Sequence, residues 1–165
     1  MTGEILVVTN PRCMYVPPDP AHVTRADVVA AARLLKGVPF RHQGSDPETG
    51  LDCRGLIEYL ALVLWGRPIP PRDYQRRPSG AEFLEKMRAE LREVERAEAR
   101  PGDAVLIRLP KDTEARHGGI VAEGPYELML IHAWESRGEG VVREEPLRGW
   151  KARNIDYAFS FDVVD

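Results

Sequence analysis

Cys53 is the residue of this sequence best suited to covalent chemistry. It lies between Thr49 and Leu56, where a glycine-containing loop enters the most apolar stretch of the chain. If that stretch is a helix, the thiol stands at its N-terminus, where the helix dipole and free backbone N–H groups favour the thiolate and lower the thiol pKa. Arg54 adds to this effect, and Asp52 opposes it unless its carboxylate turns toward other donors. The residues alone also allow a small buried cysteine that only packs in the core.

Two histidines in the second half of the chain are candidate partners of this cysteine. His117 precedes two glycines and an apolar pair, so its ring stands at the start of a strand with little side chain to obstruct close approach. His132 is a polar residue inside the apolar run from Leu128 to Ala133 and needs a hydrogen-bond partner if it is buried. A short turn near residues 123–127 predicts that the two strands are antiparallel neighbours, which would bring the rings together.

A cysteine with two histidines supplies the groups needed for nucleophilic acyl transfer. The thiolate attacks a carbonyl, His117 moves the proton, and His132 orients His117, while backbone donors at the helix start bind the oxyanion. The same residues could also bind zinc, because Cys53, His117, His132 and Asp52 are all competent ligands. The short ligand spacing typical of structural zinc sites is missing from the cysteines and histidines, which favours the acyl-transfer interpretation.

Capping residues and apolar spacing predict the elements that position these side chains. The predicted helices run from the capping pair Thr24 and Asp27 to Gly37, from Cys53 to about Trp65, and from the capping pair Ser79 and Glu82 toward Ala99. The predicted strands are 5–8, 104–109, 119–122, 128–133, 140–143 and 157–161. Helices followed by antiparallel strands predict an α+β domain with the helices packed on one face of the sheet. We expect residues 1–25 to be an N-terminal extension and residues 26–165 to be this domain.

Composition sets limits on the class of protein. The 165 residues are 43% apolar and 30% charged, as in a globular protein of one domain, and no run is long and apolar enough to cross a bilayer. The net charge of −3 gives no broad basic surface, so nucleic acid is not an expected partner. The first residues lack the basic start and apolar stretch of a secretory signal, so we expect synthesis in the cytoplasm without a signal peptide.

The order and spacing of these motifs resemble the NlpC family of papain-like cell-wall peptidases, most closely the versions encoded with phage tails and phage-like gene-transfer particles. The similarity covers roughly Ala26 to Phe161 and is carried by the segments 35–43, 52–56, 101–103, 117–120, 131–133 and 147–150. It implies a papain-like fold, a triad of Cys53, His117 and His132, and no cofactor or metal. It also implies peptidoglycan stem peptides as substrate, often cut at a bond between γ-D-glutamyl and a diamino acid, and phage-tail proteins as partners.

Two departures from the family pattern concern substrate binding. The family often has Tyr where this chain has Phe40 and Ser where it has Arg54, and those groups commonly hold the free amine or the stem of the substrate. Asp52, Arg54 and Phe40 are therefore the candidate substrate-binding residues. Arg54 could pair with a substrate carboxylate, or it could be a solvated arginine on the outer side of its helix. Two further functions stay open: a structural tail component without turnover, and another papain-like hydrolase of a small amide or ester.

Overall fold

The computed structural model describes residues 16–74 and 79–165, together with the backbone of a short hairpin. The hairpin pairs β1 (Thr9–Asn10) with β2 (Cys13–Met14). The strand predicted at residues 5–8 and the side chain of Cys13 lie outside the described residues. The division into an extension and a domain stays a prediction, although Val23 at the end of the expected extension is fully buried in the main core.

Local signals in the sequence set the bounds of the helices. Helix α1 (Arg25–Leu34) begins after Thr24, whose side chain accepts the N–H of Asp27 while the Asp27 carboxylate accepts the N–H of Thr24, as the capping pair predicts. A second hairpin of β3 (Ser45–Asp46) and β4 (Gly50–Leu51) leads into α2 (Cys53–Trp65). Helix α2 ends at Gly66, which takes a left-handed conformation with φ of 67°.

An antiparallel sheet of six strands forms the second half of the domain. Its spatial order is β5-β10-β6-β7-β8-β9. The strands are β5 (Arg92–Val94), β6 (Ala104–Ile107), β7 (His117–Glu123), β8 (Leu128–Ser136), β9 (Glu139–Pro146) and β10 (Ile155–Ser160), with helix α3 (Gly80–Glu90) before β5 and helix α4 (Trp150–Arg153) before β10. Each predicted strand from residue 104 onward overlaps one of these.

The prediction that the third helix runs toward Ala99 is wrong. Helix α3 stops at Glu90, Leu91 is extended with φ of −127° and ψ of 158°, and β5 follows at once. Val94 pairs with Ala158 of β10. The edge of β10 presents backbone groups that need partners, and a strand satisfies them where a continued helix would not. The last apolar residue of the stripe that suggested a longer helix, Val94, thus belongs to β5 and not to α3.

The main core lies between α1, α2, α3 and one face of the sheet. Its members from the sheet include Leu106, Ile120, Ile131 and Phe159, all fully buried. A smaller apolar cluster occupies the opposite face, where Trp150 of α4 packs against it. The α+β class with the first three helices on one sheet face is therefore confirmed. Among the described residues, no helix is both long and apolar enough to span a membrane.

Candidate active site

Cys53 is the first residue of α2 and lies against the start of β7. Gly118 of β7 lets the helices pack closely on this strand, because a Cβ there would lie 3.1 Å from both Ile57 Cδ1 of α2 and Phe83 Cζ of α3. The backbone N–H of Gly118, the residue next to His117, lies close enough to Cys53 to lower the pKa of its thiol. Cys53 keeps partial solvent exposure. The structure thus brings the thiol, which the sequence placed at a helix start, to the strand that begins with the first histidine.

The thiol of Cys53 is held in its neutral form. Burial raises its pKa to about 12, and the charge of Asp52 acts in the same direction, while the N–H groups of Gly118, Arg54 and Cys53 oppose them. The prediction of a lowered pKa is therefore wrong for this structure. The pKa of Cys53 rises because burial is the larger effect. A helix N-terminus stabilises a thiolate by at most about 2 kcal/mol, which is about 1.5 pKa units, whereas burial can shift a pKa by about 3 to 5 units.

His117 and His132 are in direct hydrogen-bond contact. The Nε2 atom of His117 lies 2.6 Å from the Nδ1 atom of His132, and the ring centroids are 4.9 Å apart. Strands β7 and β8 are antiparallel neighbours, as the turn predicted. Gly119 lets β8 approach β7 closely, since a Cβ there would lie 2.9 Å from the backbone oxygen of Ile131 and 3.1 Å from the Cβ of His132. Trp134 adds an edge contact at 5.2 Å from the His117 ring centroid.

Both imidazoles are buried, with 7% of His117 and 1% of His132 exposed. Burial lowers the pKa of His117 to about 3, helped by His132 and the charge of Lys151. Burial also lowers the pKa of His132, and the neighbouring Glu145 opposes this without reversing it. Burial thus favours the neutral forms of the Cys53 thiol and of both imidazoles at neutral pH. The catalytic roles of the three residues stay predictions.

Glu145 completes the polar chain, and sequence reasoning missed it. Its Oε1 atom lies 2.8 Å from the Nε2 atom of His132 and 3.1 Å from the Nζ atom of Lys151. The predicted strand ended at Arg143, whereas β9 continues to Pro146. Arg143 is the register partner of His132. Because side chains alternate along a strand, extending the strand by two residues would have placed Glu145 on the same face as Arg143 and beside His132.

Asp52 is a buried structural hub at the start of α2. Only 4% of the residue is exposed, its Oδ1 atom accepts the N–H of Gly55 at 2.7 Å, and its Oδ2 atom accepts the N–H of Gln43 at 2.9 Å. The hydroxyl of Tyr74 also donates to Oδ2, at 2.5 Å. The carboxylate is thus turned toward other donors, with both oxygens engaged by the protein. Its assignment as a substrate contact stays a prediction.

Arg54 is buried, so its interpretation as a solvated arginine is wrong. Its Nε atom donates to Glu58 at 2.9 Å, and its guanidinium lies 4.5 Å from the ring centroid of Tyr74. Arg72 binds the other oxygen of Glu58 and faces the same ring at 5.2 Å. With Asp52, these side chains form a network of two cations and two anions. The pairing of Arg54 with a substrate carboxylate stays a prediction.

Phe40 lies beside this network at the entrance to the second hairpin. Its backbone N–H donates to the carbonyl of Gly140 at 2.8 Å, and it forms an isolated bridge with Leu51. The side chain is partly buried against the main core. The backbone of this segment thereby joins the end of α1 to β9 and to the residues just before Cys53. A substrate contact by Phe40 stays a prediction.

The zinc alternative has no ligand set in the described part of the chain. Within residues 16–74 and 79–165, no three side chains of His, Cys, Asp or Glu are placed to hold a metal ion. The geometry gives the reason, since both ring nitrogens of His132 bind protein partners and Asp52 points to backbone and tyrosine donors. The hydrogen-bond chain of His117, His132 and Glu145 instead resembles the base and orienting groups that nucleophilic acyl transfer requires.

Two proteins of known activity are similar to this chain. The murein DD-endopeptidase MepH of Escherichia coli is 33% identical over 102 residues, which are 61% of this chain and 34% of MepH. The gamma-DL-glutamyl hydrolase of Bacillus subtilis is 30% identical over 104 residues, which are 63% of this chain and 22% of that hydrolase. The matched part is about a third of one protein and about a fifth of the other.

Solved structures and a family profile extend these similarities. The NlpC/p60 domain of the peptidoglycan hydrolase SagA is 25% identical, with a TM-score of 0.58 over 84% of this chain and 100% of that domain. An NlpC/P60 family protein from Bacillus cereus, 18% identical, has the same fold with a TM-score of 0.60 over 83% of this chain and 40% of that protein. The sequence profile of the NlpC/P60 family matches residues 37–156, which include Cys53, His117, His132 and Glu145. The chain belongs to the NlpC/P60 family.

Proposed function

We propose that this protein is a cysteine peptidase that hydrolyses amide bonds in the peptide stems of peptidoglycan. The observation that carries the proposal is the hydrogen-bond chain from His117 through His132 to Glu145, in which His117 directly precedes Gly118, the residue whose backbone N–H acts on the Cys53 thiol. The names of the two similar proteins support the substrate class, since one acts on murein and the other on gamma-glutamyl bonds. The family likeness supports a hydrolase.

The proposed reaction uses Cys53 as nucleophile and His117 as base. The sulfur attacks the carbonyl carbon of the scissile amide while its proton passes to His117. The tetrahedral oxyanion is stabilised by backbone N–H groups at the start of α2, and the proton on His117 then passes to the leaving amine. Water hydrolyses the resulting thioester, releases the carboxylic acid and restores the thiol.

The bond cut is tested directly with defined substrates. Purified muropeptides, both cross-linked dimers and single stems, are incubated with the enzyme, and the product masses are read by mass spectrometry. Cleavage of dimers into intact stems indicates D,D-endopeptidase activity, and loss of the residues beyond D-glutamate indicates hydrolysis at the γ-D-glutamyl bond. We expect the second, because the motif pattern resembles enzymes of that specificity.

Two variants give the control for this assay. Cys53→Ala removes the proposed nucleophile, and Cys13→Ala makes the same change at the second cysteine of the chain. We expect the first to abolish product and the second to leave it unchanged. Absence of product from the unaltered protein, with all muropeptides recovered, would favour a structural tail component. Cleavage of small amide or ester substrates alone would favour another papain-like hydrolase.

We also infer that the protein is carried on a phage-tail or gene-transfer particle. The support is the resemblance of the motif order to enzymes encoded with such particles. Mass spectrometry of particles purified from the producing culture tests this inference. Recovery of the protein in the particle fraction at constant stoichiometry is the expected result, and recovery only in the soluble cell fraction would contradict it.

A further inference from the structure

Glu145 is the only carboxylate in hydrogen-bond contact with either imidazole among the described residues. It projects from β9 toward His132, and its side chain is 29% exposed, so it stands between a buried ring and solvent. Lys151 of α4 binds the same oxygen, Oε1. Burial alone would raise the pKa of Glu145, but the hydrogen bond from Lys151 and the neighbouring His132 outweigh it and lower the pKa below its usual value. The carboxylate is therefore ionised at neutral pH.

An ionised carboxylate can only accept a hydrogen bond, and this fixes the protons along the whole chain. The Nε2 atom of His132, 2.8 Å from Glu145, must carry its proton. The Nδ1 atom of neutral His132 then has a lone pair, so the proton in the 2.6 Å contact belongs to Nε2 of His117. The Nδ1 atom of His117 is left with its lone pair. That nitrogen is the one available to take a proton from Cys53.

The reversed arrangement is unfavourable. If Nδ1 of His132 carried the proton, its Nε2 lone pair would face the carboxylate oxygen at 2.8 Å, with no proton between them. The Nε2 atom of His117 would then be the acceptor, and its Nδ1 atom would carry a proton and could not act as base. A wrong histidine tautomer of this kind is a recognised cause of large losses in kcat in enzymes with a nucleophile and histidine pair.

The charge of Glu145 also acts on the protonated state of the site. When His117 takes the thiol proton, the positive charge lies at one end of the chain and the carboxylate at the other. Lys151 from α4 and Arg143 from β9 oppose this effect, since both lower the pKa of His132. These three charged groups come from β9 and α4, and Glu145 is the one that favours the imidazolium.

We propose that Glu145 is a positioning residue that sets the tautomers of His132 and His117 through this hydrogen-bond chain and stabilises the imidazolium formed during attack. The proposal rests on the proposed function, and it names a residue behind the triad that acts through His132. Lys151 holds the carboxylate ionised and aimed at the ring.

Two substitutions of Glu145 separate the effect of its hydrogen-bond acceptor from the effect of its negative charge. Glu145→Met has a similar length and removes the acceptor, whereas Glu145→Gln keeps an acceptor oxygen and removes the charge. The matched control is Glu144→Met, because Glu144 is the neighbouring glutamate of β9 and binds Arg33 and Lys36. Tautomers are read from the nitrogen-15 chemical shifts of the imidazole rings, and activity from the rate of muropeptide hydrolysis as a function of pH.

In the unaltered protein we expect a proton on Nε2 of His117. In Glu145→Met we expect mixed tautomers and a fall in kcat of at least about tenfold with little change in KM. In Glu145→Gln we expect the original tautomer, with the acid limb of the kcat profile moved to lower pH because the imidazolium loses a favourable charge. Glu144→Met should leave both readouts unchanged.

Unchanged tautomers and unchanged kcat in Glu145→Met would overturn the proposal, as would an unchanged pH profile in Glu145→Gln. If Glu145→Met does not fold, the profile of Glu145→Gln still decides. The nitrogen-15 measurement does not depend on turnover. Absence of muropeptide hydrolysis in the unaltered protein would therefore refute the proposed function while the tautomer result still tests the role of Glu145.

Discussion

Replacement of Asp52 by Asn should destabilise the fold and at the same time make the Cys53 thiol more acidic. Asn keeps the oxygen that accepts the N–H of Gly55, so the cap of α2 survives. Its amide group faces the N–H of Gln43, which loses its acceptor. The hydroxyl of Tyr74 can turn and accept from the amide. One unpaired backbone donor costs about 1 to 3 kcal/mol, so we expect a loss of about 2 kcal/mol.

Replacement by Ala removes all three hydrogen bonds. Loss of the cap costs about 1 kcal/mol and each buried donor left without a partner about 1 to 3 kcal/mol, so Asp52→Ala should lose about 4 kcal/mol. In both variants the thiol pKa falls, because the charge of Asp52 raises the pKa of Cys53. Urea denaturation measures the first effect. The pH dependence of iodoacetamide labelling of Cys53 in the folded protein measures the second.

The matched control is Asp73→Asn, which makes the same change at an exposed aspartate next to Tyr74. We expect its stability to stay within about 0.5 kcal/mol of the unaltered protein. The reasoning would be refuted if Asp52→Asn kept full stability and the original labelling profile while KM for muropeptides rose. That result would assign Asp52 to substrate binding instead of to the architecture of the helix start.

Three further predictions concern pH and close packing. The pKa of His117 in the folded protein is about 3, below the usual value near 6.5. Its contribution to the free energy of unfolding is therefore complete above about pH 6.5 and is lost as the pH falls, by about 2 kcal/mol at pH 5. Urea midpoints should show this loss, and the loss should be smaller in His117→Asn. Gly55→Ala should destabilise by about 2 kcal/mol in the same assay, because its Cβ would lie 1.8 Å from the carbonyl oxygen of Gly44, which outweighs a gain of about 1 kcal/mol in helix propensity. Gly119→Ala should lower kcat by more than about tenfold, since the added Cβ would lie 2.9 Å from the backbone oxygen of Ile131 and 3.1 Å from the Cβ of His132 and would shift the strand segment that carries the His132 ring.

Each of these predictions has a result that contradicts it. If His117→Asn lost as much stability at pH 5 as the unaltered protein, the loss would have to come from groups other than His117. If Gly55→Ala were more stable than the unaltered protein, the carbonyl of Gly44 would have to move away without cost. Gly66→Ala is the control for this variant. Gly66 has open space around it but a left-handed backbone, so the variant should lose about 1 kcal/mol from strain alone. Full activity in Gly119→Ala would show that the histidine pair tolerates displacement.

The elements that carry Cys53, His117 and His132 could be predicted because their signals are local. The apolar run after Cys53 predicts a buried helix, and a polar residue in an apolar strand predicts a partner for His132. A short turn between two strand patterns predicts that they pair, and pairing is enough to bring the two rings into contact. Each inference depends on a few neighbouring residues, and the structure agrees with each of them.

Features that depend on distant parts of the chain could not be predicted in the same way. Arg54 and Glu58 have the spacing of a helix pair, but their burial depends on Arg72 and Tyr74, which arrive from another loop. The end of α3 depends on the unpaired edge of β10, a strand more than sixty residues further along the chain. The sign of the Cys53 pKa shift depends on burial, whereas the sequence indicates only the helix dipole.

Burial raises the pKa of Cys53 and lowers that of His117, so it opposes charge on each group taken alone. Transfer of the proton from one to the other leaves the net charge of the site unchanged, and the attraction between the two new charges is strong in a dry environment. In the proposed reaction, the attacking thiolate would therefore form most readily when a substrate carbonyl can take up its electron pair and backbone donors can bind the oxyanion. Because the raised pKa favours the thiol over the thiolate, we expect Cys53 to react slowly with alkylating and oxidising reagents at neutral pH. In the proposed reaction Glu145 stabilises the imidazolium half of the ion pair, so its charge should set the pH dependence of kcat while its acceptor oxygen sets the tautomers of the two histidines.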